Sequence, residues 1–148
     1  MEQLNFPEYT FRIKEVAEKK HIFDPIRKKF VRLSPEEWVR QHVLAYFIQE
    51  LKYPIGLISV EQSFTVAGYN VRYDIVVFGP EMLPWMLVEC KAPGIAISQA
   101  TIEQATKYNF TEKASWVLAT NGLNHLLYKI DYTTRTVVLK NEFPEYNS

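Results

Sequence analysis

Residues 71–91 of this chain, VRYDIVVFGPEMLPWMLVECK, decide the fold because they hold two apolar runs separated by a short turn. The run from Val71 to Phe78 is largely apolar on both faces, which is typical of a strand covered from both sides. Gly79-Pro80 ends that run, and Trp85 to Lys91 forms the next one. The two runs therefore predict adjacent strands of a sheet.

Three charged residues interrupt these apolar strands: Asp74 in the first, and Glu89 and Lys91 in the second. An unpaired charge is costly to bury, so charges in such strands are usually paired or bind a metal. Side chains two positions apart on a strand share a face, which places Glu89 and Lys91 together and Cys90 opposite. If the two strands are neighbours, Asp74 joins the pair on that face.

Two interpretations of this trio stay open from the residues alone. Two carboxylates beside a lysine form a hard oxygen site suited to Mg²⁺ or Mn²⁺, where the lysine orients a water or offsets developing charge. Alternatively, Lys91 forms a salt bridge with Glu89 or Asp74 at the sheet edge and the trio binds no ligand.

The flanking sequence predicts a helix before these strands and another after them. Ser34-Pro35-Glu36-Glu37 has a capping serine, a proline at the first helical position and a glutamate three residues after the serine. This helix ends near Tyr53-Pro54, because the residue before a proline disfavours helix. Ser98 opens the second helix, which covers about residues 99–110. Further strands are predicted at residues 10–13, 22–23, 29–33, 57–66, 114–119, 126–131 and 135–140.

The predicted fold class is α/β with a mixed α+β sheet, and composition agrees with a globular protein. The chain has 148 residues, of which 47% are apolar and 23% charged. We predict one domain over 1–148, made of a basic N-terminal strand segment (1–33), a core (34–120) and a C-terminal hairpin (121–148). The single cysteine, Cys90, excludes a disulfide framework and a cysteine-rich zinc site, and no signal peptide is evident, so a cytoplasmic location is expected.

The net charge is zero, with 17 basic and 17 acidic residues, which rules out coating of nucleic acid by bulk charge. The charge is uneven, however, because residues 12–32 contain eight basic and three acidic residues, a net of +5. Arg27, Lys28 and Lys29 in this segment are candidate contacts to a nucleic-acid backbone. The alternative is an ordinary solvated face rich in lysine.

The trio matches a known motif. Asp74, followed after fourteen residues by Glu89-Cys90-Lys91, resembles the PD-(D/E)XK nuclease superfamily. The order of a helix, a three-strand meander with the acids on its second and third strands, a helix and a strand is also similar to that family's core. Gln104-Ala105-Thr106-Lys107-Tyr108 resembles the Q-x-x-x-Y motif that follows the catalytic strand in several branches, and Gln104 and Tyr108 lie one helical turn apart.

A wider resemblance covers about residues 21–125. Asp24 to Lys29, Ser34 to Gln41 and Arg72 to Phe78 are similar to the N-terminal nuclease domain of type I restriction enzyme R (restriction and translocation) subunits. That resemblance implies Mg²⁺-dependent DNA cleavage, with Asp74, Glu89 and the backbone carbonyl of Cys90 as metal ligands. It also implies that Lys91 is the catalytic lysine, with Gln104 and Tyr108 supporting Lys91 or the scissile phosphate.

Two further points concern the family's pattern: which residue supplies a third carboxylate, and whether a motor is present. The first helix of the family often supplies a third carboxylate, and Glu36 or Glu37 could be that group, although Glu37 also fits the capping role. The five glycines are never closer than 11 residues apart, so no phosphate-binding loop can be drawn. The chain alone is therefore not expected to be an ATP-driven translocating subunit.

The sequence as a whole predicts a Mg²⁺- or Mn²⁺-dependent DNA endonuclease of the restriction–modification type that lacks the helicase motor. The alternative is a catalytically silent nucleic-acid-binding or partner-binding module on the same fold. DNA is the expected partner, and a separate motor or specificity subunit or a second copy of the chain are further candidates. No membrane partner is expected.

Overall fold

The computed structural model describes residues 1–106, 109 and 113–148, and the side chains of residues 104–106 lie outside that description. Its strands are β1 (Ile13–Val16), β2 (Lys19–Asp24), β3 (Lys29–Arg32), β4 (Ile58–Val66), β5 (Tyr69–Phe78), β6 (Pro84–Cys90), β7 (Trp116–Thr120), β8 (His125–Asp131) and β9 (Thr136–Lys140). Its α-helices are α1 (Pro35–Ala45) and α2 (Gln99–Thr106). Each predicted strand is present, with its ends shifted by at most three residues. No helix in the described ranges is both long and apolar enough to cross a membrane.

The strands form two sheets. β1, β2 and β3 make a small antiparallel sheet, and β4 to β9 make a six-stranded sheet whose spatial order is the chain order. Among the described strands of the larger sheet, only the β6–β7 pair is parallel. A parallel pair needs a crossover connection, and α2 lies in the segment that supplies it. The prediction of a mixed α/β fold with a mixed sheet is therefore confirmed.

Helix α1 begins at the predicted cap. The Oγ of Ser34 accepts a hydrogen bond from the N–H of Glu37 at 3.0 Å, and Pro35 occupies the first turn. Beyond Ala45 the chain continues through a π-helical turn, Tyr46–Glu50, before it leaves the helix axis ahead of Pro54. The start of this helix lies where the local signal predicts it, because the cap depends on neighbouring residues. The predicted end near Tyr53-Pro54 is too late, since α1 ends at Ala45 and the π-helical turn ends at Glu50.

The main core lies between α1 and one face of the larger sheet. The buried side chains in this layer that come from α1 and the turn after it are Val39, Val43, Leu44 and Phe47, and those that come from the central strands include Ile75, Val77, Met86, Val88 and Leu118. A second cluster covers the opposite face of the sheet with Tyr73, Val76, Leu87 and Val117. The central strands are thus covered on both sides, as their apolar pattern predicts.

Strands β5 and β6 separate before either strand ends. Their last ladder pair is Ile75 with Val88. Past that pair β5 continues against β4, and β6 continues against β7 as far as Cys90. The sheet therefore forks between its two central strands, and the fork opens at Asp74 and Glu89.

Packing at the centre of the sheet should dominate stability. We expect Leu118→Ala, at a fully buried site, to lower the free energy of unfolding by about 2–5 kcal/mol, since it leaves a cavity. Leu139→Ala, at a half-exposed site on the outer strand, should change it by less than about 0.5 kcal/mol. Urea denaturation followed by circular dichroism measures both, and equal losses would contradict this description of the core.

Candidate active site

The carboxylates of Asp74 and Glu89 meet at the fork. The Oδ2 of Asp74 accepts a hydrogen bond from the backbone N–H of Cys90 at 2.6 Å, so Asp74 reaches across from β5 to the end of β6. Burial, together with the negative charge and a hydrogen bond of Asp74, raises the pKa of Glu89 to about 8. Two close carboxylates in a partly buried position repel each other, and a cation between them would relieve that repulsion.

Lys91 stands at the open side of this pair. Its Nζ lies 3.8 Å from the Oε1 of Glu89, and 40% of its side chain is exposed. Its backbone N–H bonds to the carbonyl of Thr120 at 2.8 Å, which continues the β6–β7 ladder and holds the residue in place. The salt-bridge interpretation of the sequence is thus present as a long contact with Glu89, while the ammonium group stays accessible to a ligand.

Cys90 lies between these residues but points away from them. Its side chain is buried in the core that α1 covers, as its strand position predicts, and burial raises the pKa of its thiol. The thiol therefore takes no part in the site. The backbone of Cys90 does take part, because its N–H holds Asp74, and its carbonyl remains the expected further metal ligand.

A network of buried ion pairs lies beneath the fork. The guanidinium of Arg27 donates to Asp24 at 2.8 Å and to both oxygens of Glu37 at 2.9 Å. Gln41 of α1 adds hydrogen bonds to Asp24 at 2.9 Å and to Glu37 at 3.1 Å. Burial raises the pKa of Asp24, but the hydrogen bonds from Arg27 and Gln41 outweigh it, so the pKa falls below its ordinary value.

Arg40 connects this network to the site. Its Nη2 lies 3.5 Å from the Oδ1 of Asp74, and its Nε lies 3.4 Å from Glu37. Its Nη1 lies 3.5 Å from Glu61, which occupies a left-handed conformation (φ 56°) in β4. Nε and Nη1 of Arg40 are buried without a well-aligned hydrogen bond, so these contacts act by charge. Arg40 thereby fixes Asp74 from below and leaves its second oxygen for Cys90.

Among the residues that the structure describes, the charges of this cluster do not balance. Its ion pairs join three cations, Arg27, Arg40 and Lys91, to six carboxylates, Asp24, Glu36, Glu37, Glu61, Asp74 and Glu89. With every group ionised the cluster carries a net negative charge in a partly buried place. Such an excess is favourable for binding a divalent cation.

The two candidates for the third carboxylate, Glu36 and Glu37, lie in different environments. Glu37 is buried and held by Arg27, Arg40 and Gln41, so its carboxylate is already used inside the chain. Glu36 is about half exposed, with Arg40 at 4.0 Å. Burial and the charge of Asp74 raise the pKa of Glu36, which places it within electrostatic reach of the site. Glu36 rather than Glu37 is thus the carboxylate of this pair that is accessible to solvent.

The three predicted basic contacts, Arg27, Lys28 and Lys29, also differ in their environments. Arg27 has only 17% of its side chain exposed and is engaged by carboxylates of this chain, so a role on an external backbone would compete with those pairs. Lys28 and Lys29 are exposed. Gln104 lies in α2, its side chain is outside the described part, and Tyr108 is outside the described residues altogether.

Arg40 and Glu61 are members of the site that were not predicted from the sequence. A signal for Arg40 existed, because positions 37, 40, 41 and 44 lie along one stripe of α1, and three of them are polar beside a buried leucine. Polar residues at helical spacing next to a core position indicate a buried network rather than a solvated face. For Glu61 no comparable signal exists, because it looks like a solvent-facing residue of an outer strand.

The donor set fits a hard divalent cation. In the described part of the chain no group of three or more His, Cys, Asp or Glu side chains is arranged to hold a metal. Mg²⁺, however, commonly takes one or two carboxylates and keeps several waters. Asp74, Glu89 and the carbonyl of Cys90 are oxygen donors of that kind, and the uncompensated negative charge around them favours the ion.

A family model described as type I restriction enzyme R protein N terminus (HSDR_N) matches residues 35–144, which include α1, the six-stranded sheet and the site at the fork. This chain belongs to that family. A search of curated proteins gave no match.

A solved structure agrees with this assignment. It is a fragment structure described as an HsdR subunit of a type I restriction enzyme from Vibrio vulnificus YJ016. The two chains superpose with a TM-score of 0.55 at 23% identity, over 76% of this chain and 24% of that chain. At this identity the likeness establishes the fold, and this chain spans about a quarter of that chain's length.

The buried network should be essential for folding. We expect Arg27→Met to lower the free energy of unfolding by about 3–5 kcal/mol, because Asp24 and Glu37 lose their main partner while still buried. Arg32→Met, at an exposed position of the same small sheet, serves as the matched control and should cost less than about 0.5 kcal/mol. Urea denaturation measures both variants, and a cost for Arg27→Met no greater than the control's would contradict the network's role.

Proposed function

We propose that this chain is the nuclease domain of a type I restriction R protein and that it hydrolyses DNA phosphodiester bonds with a bound Mg²⁺ or Mn²⁺ ion. The observation that carries the proposal is the convergence of Asp74, Glu89 and Lys91 where β5 and β6 separate. Family membership and the resemblance to PD-(D/E)XK nucleases agree with the same chemistry.

Each residue has a distinct role in the proposed reaction. Asp74 and Glu89, with the Cys90 carbonyl, hold the cation, and Arg40 keeps Asp74 oriented from the core side. When bound, the cation supplies Lewis-acid polarisation of the phosphodiester. Lys91 is exposed enough to reach the substrate, where its ammonium group orients the attacking water or offsets charge that develops on the phosphate.

The third carboxylate in this proposal is Glu36. Its side chain is accessible and the charge of Asp74 contributes to its raised pKa, whereas Glu37 forms ion pairs with two arginines. Glu36 would act on the water or on the solvation shell of the cation. Gln104 and Tyr108 retain their proposed support of Lys91 or the phosphate.

Cleavage of supercoiled plasmid with Mg²⁺ or Mn²⁺ tests the proposal. We expect Asp74→Asn and Lys91→Met each to lower the nicking rate by about 100-fold or more, because each removes a charge that the transition state needs. Asp131→Asn and Lys140→Met remove comparable groups from exposed positions of the C-terminal strands and should leave the rate unchanged.

Calorimetry with Mn²⁺ separates the enzyme from a catalytically silent module. Binding of one ion that Asp74→Asn abolishes supports the enzyme. Nicking that survives both Asp74→Asn and Lys91→Met would exclude this site as the origin of the activity. Absence of both metal binding and nicking in the wild-type chain would favour the silent module.

Glu36 and Glu37 should respond differently to the same substitution. We expect Glu36→Gln to lower the nicking rate by about 10-fold with less than about 0.5 kcal/mol lost in stability, because the residue is exposed. Glu37→Gln should instead lower the free energy of unfolding by about 3 kcal/mol, because Arg27 and Arg40 lose a buried partner. Measuring denaturation and nicking for both variants tests the assignment, and the reverse pattern would transfer the catalytic role to Glu37.

A further inference from the structure

The small N-terminal sheet has two faces of opposite character. Ile22 and Asp24 are fully buried on the inner face, where Asp24 bonds to Gln41 of α1. The cross-strand pairs place Lys14 opposite His21, and Phe23 opposite Phe30. Directly opposed side chains share a face, and so do side chains two positions apart on one strand. The register therefore defines an outer face that points away from α1 and the core.

The charged side chains that this segment places on the outer face are all basic. Its charged members are Arg12, Lys14, Lys19 and Arg32, all of them exposed. The acids of this segment lie elsewhere, since Glu15 and Asp24 alternate onto the inner face and Glu18 sits in the turn between β1 and β2. Within the described part of the chain none of the four cations forms an ion pair.

Two aromatic rings hold part of this charge in place. Phe23 and Phe30 stack edge to face with ring centroids 5.4 Å apart. The guanidinium of Arg12 lies 4.4 Å from the Phe23 centroid, and the ammonium of Lys14 lies 4.2 Å from the Phe30 centroid. Each ring thus has a cation over it, which occupies a surface on which a base would otherwise stack. This face offers ordered positive charge without a surface that distinguishes one base from another.

From this arrangement we infer that the outer face of the N-terminal sheet, defined by Arg12, Lys14, Lys19 and Arg32, binds the phosphate backbone of duplex DNA outside the cleavage site and without sequence preference. This face is complementary in charge to a polyanion, because its four cations form no ion pair with the described residues. Since cations already lie over both rings, the backbone is the feature recognised. The choice of DNA rests on the proposed function. The face would hold the duplex independently of any metal at the fork.

Fluorescence anisotropy with a labelled duplex of about 20 base pairs, in EDTA and over a series of salt concentrations, tests this surface. We expect the triple variant Arg12→Gln, Lys14→Gln, Lys19→Gln to weaken binding at least 10-fold at low salt. It should also reduce the slope of log K against log salt by about 2–3, since up to three phosphate contacts are lost. Two duplexes of unrelated sequence should bind the wild-type chain equally.

The matched control is the triple variant Lys52→Gln, Arg135→Gln, Lys140→Gln. It removes one arginine and two lysines from exposed positions outside the N-terminal sheet. It should leave binding within about twofold and the slope unchanged. A second variant, Lys19→Gln with Arg32→Gln, keeps the proposal testable if loss of the ring contacts unfolds the small sheet. Equal weakening by face and control variants, or no change in the two face variants, would overturn the inference.

The remaining outcomes separate this surface from the cleavage site. Binding in EDTA by a chain that nicks nothing with Mg²⁺ or Mn²⁺ would leave the face standing and remove the proposed catalysis. If Asp74→Asn abolishes nicking while both face variants bind the duplex as the wild type does, the proposed catalysis stands and the proposed binding face is overturned. Binding to phosphatidylserine vesicles without binding to the duplex would overturn the assignment of DNA as the partner.

Discussion

Arg40, which is buried, and Arg27, which is mostly buried, offset part of the negative charge of the carboxylates beneath the sheet fork, and the rest of the structure depends on that compensation. Arg27 ties Asp24 of the small sheet to Glu37 of α1, and Arg40 ties Glu37 to Asp74. Removing either guanidinium would leave several carboxylates together away from water, which costs far more than an exposed pair contributes. The same contacts therefore attach the N-terminal sheet to α1 and orient the first acid of the candidate site.

The fork itself explains why a charged site can exist at the centre of an apolar sheet. Where β5 and β6 stop pairing, the N–H of Cys90 lacks a ladder partner on β5, and the carboxylate of Asp74 takes that place. Asp74 thus satisfies a backbone group of β6 with one oxygen and lies beside Arg40 with the other. A functional site here needs no interruption of the core, because the apolar side chains on both sides of the sheet continue beneath it.

Local signals predicted most of the fold. The Ser34 cap and the alternation in the strands depend on residues close in sequence, and each predicted element is present. Its ends are less accurate, since β1 begins three residues later than predicted and the first helix ends before the proline signal. The Asp74, Glu89 and Lys91 trio was equally visible, because charges stand out in apolar strands. The interpretation of Arg27 as a backbone contact did not foresee its use inside the chain, since composition alone does not distinguish a buried arginine from a solvated one.

By itself the sequence determined the element order, the core-facing positions and the acids and lysine of the candidate site, because periodicity and chain-local chemistry encode them. Only the tertiary structure decided that Arg40 reaches Asp74, that Glu61 joins the network and that Glu37 is committed while Glu36 stays accessible. It also decided that the basic segment separates into a cationic outer face and a buried inner one. These features join residues from separate elements, and the ion pairs form only once packing brings those elements together and removes water between them.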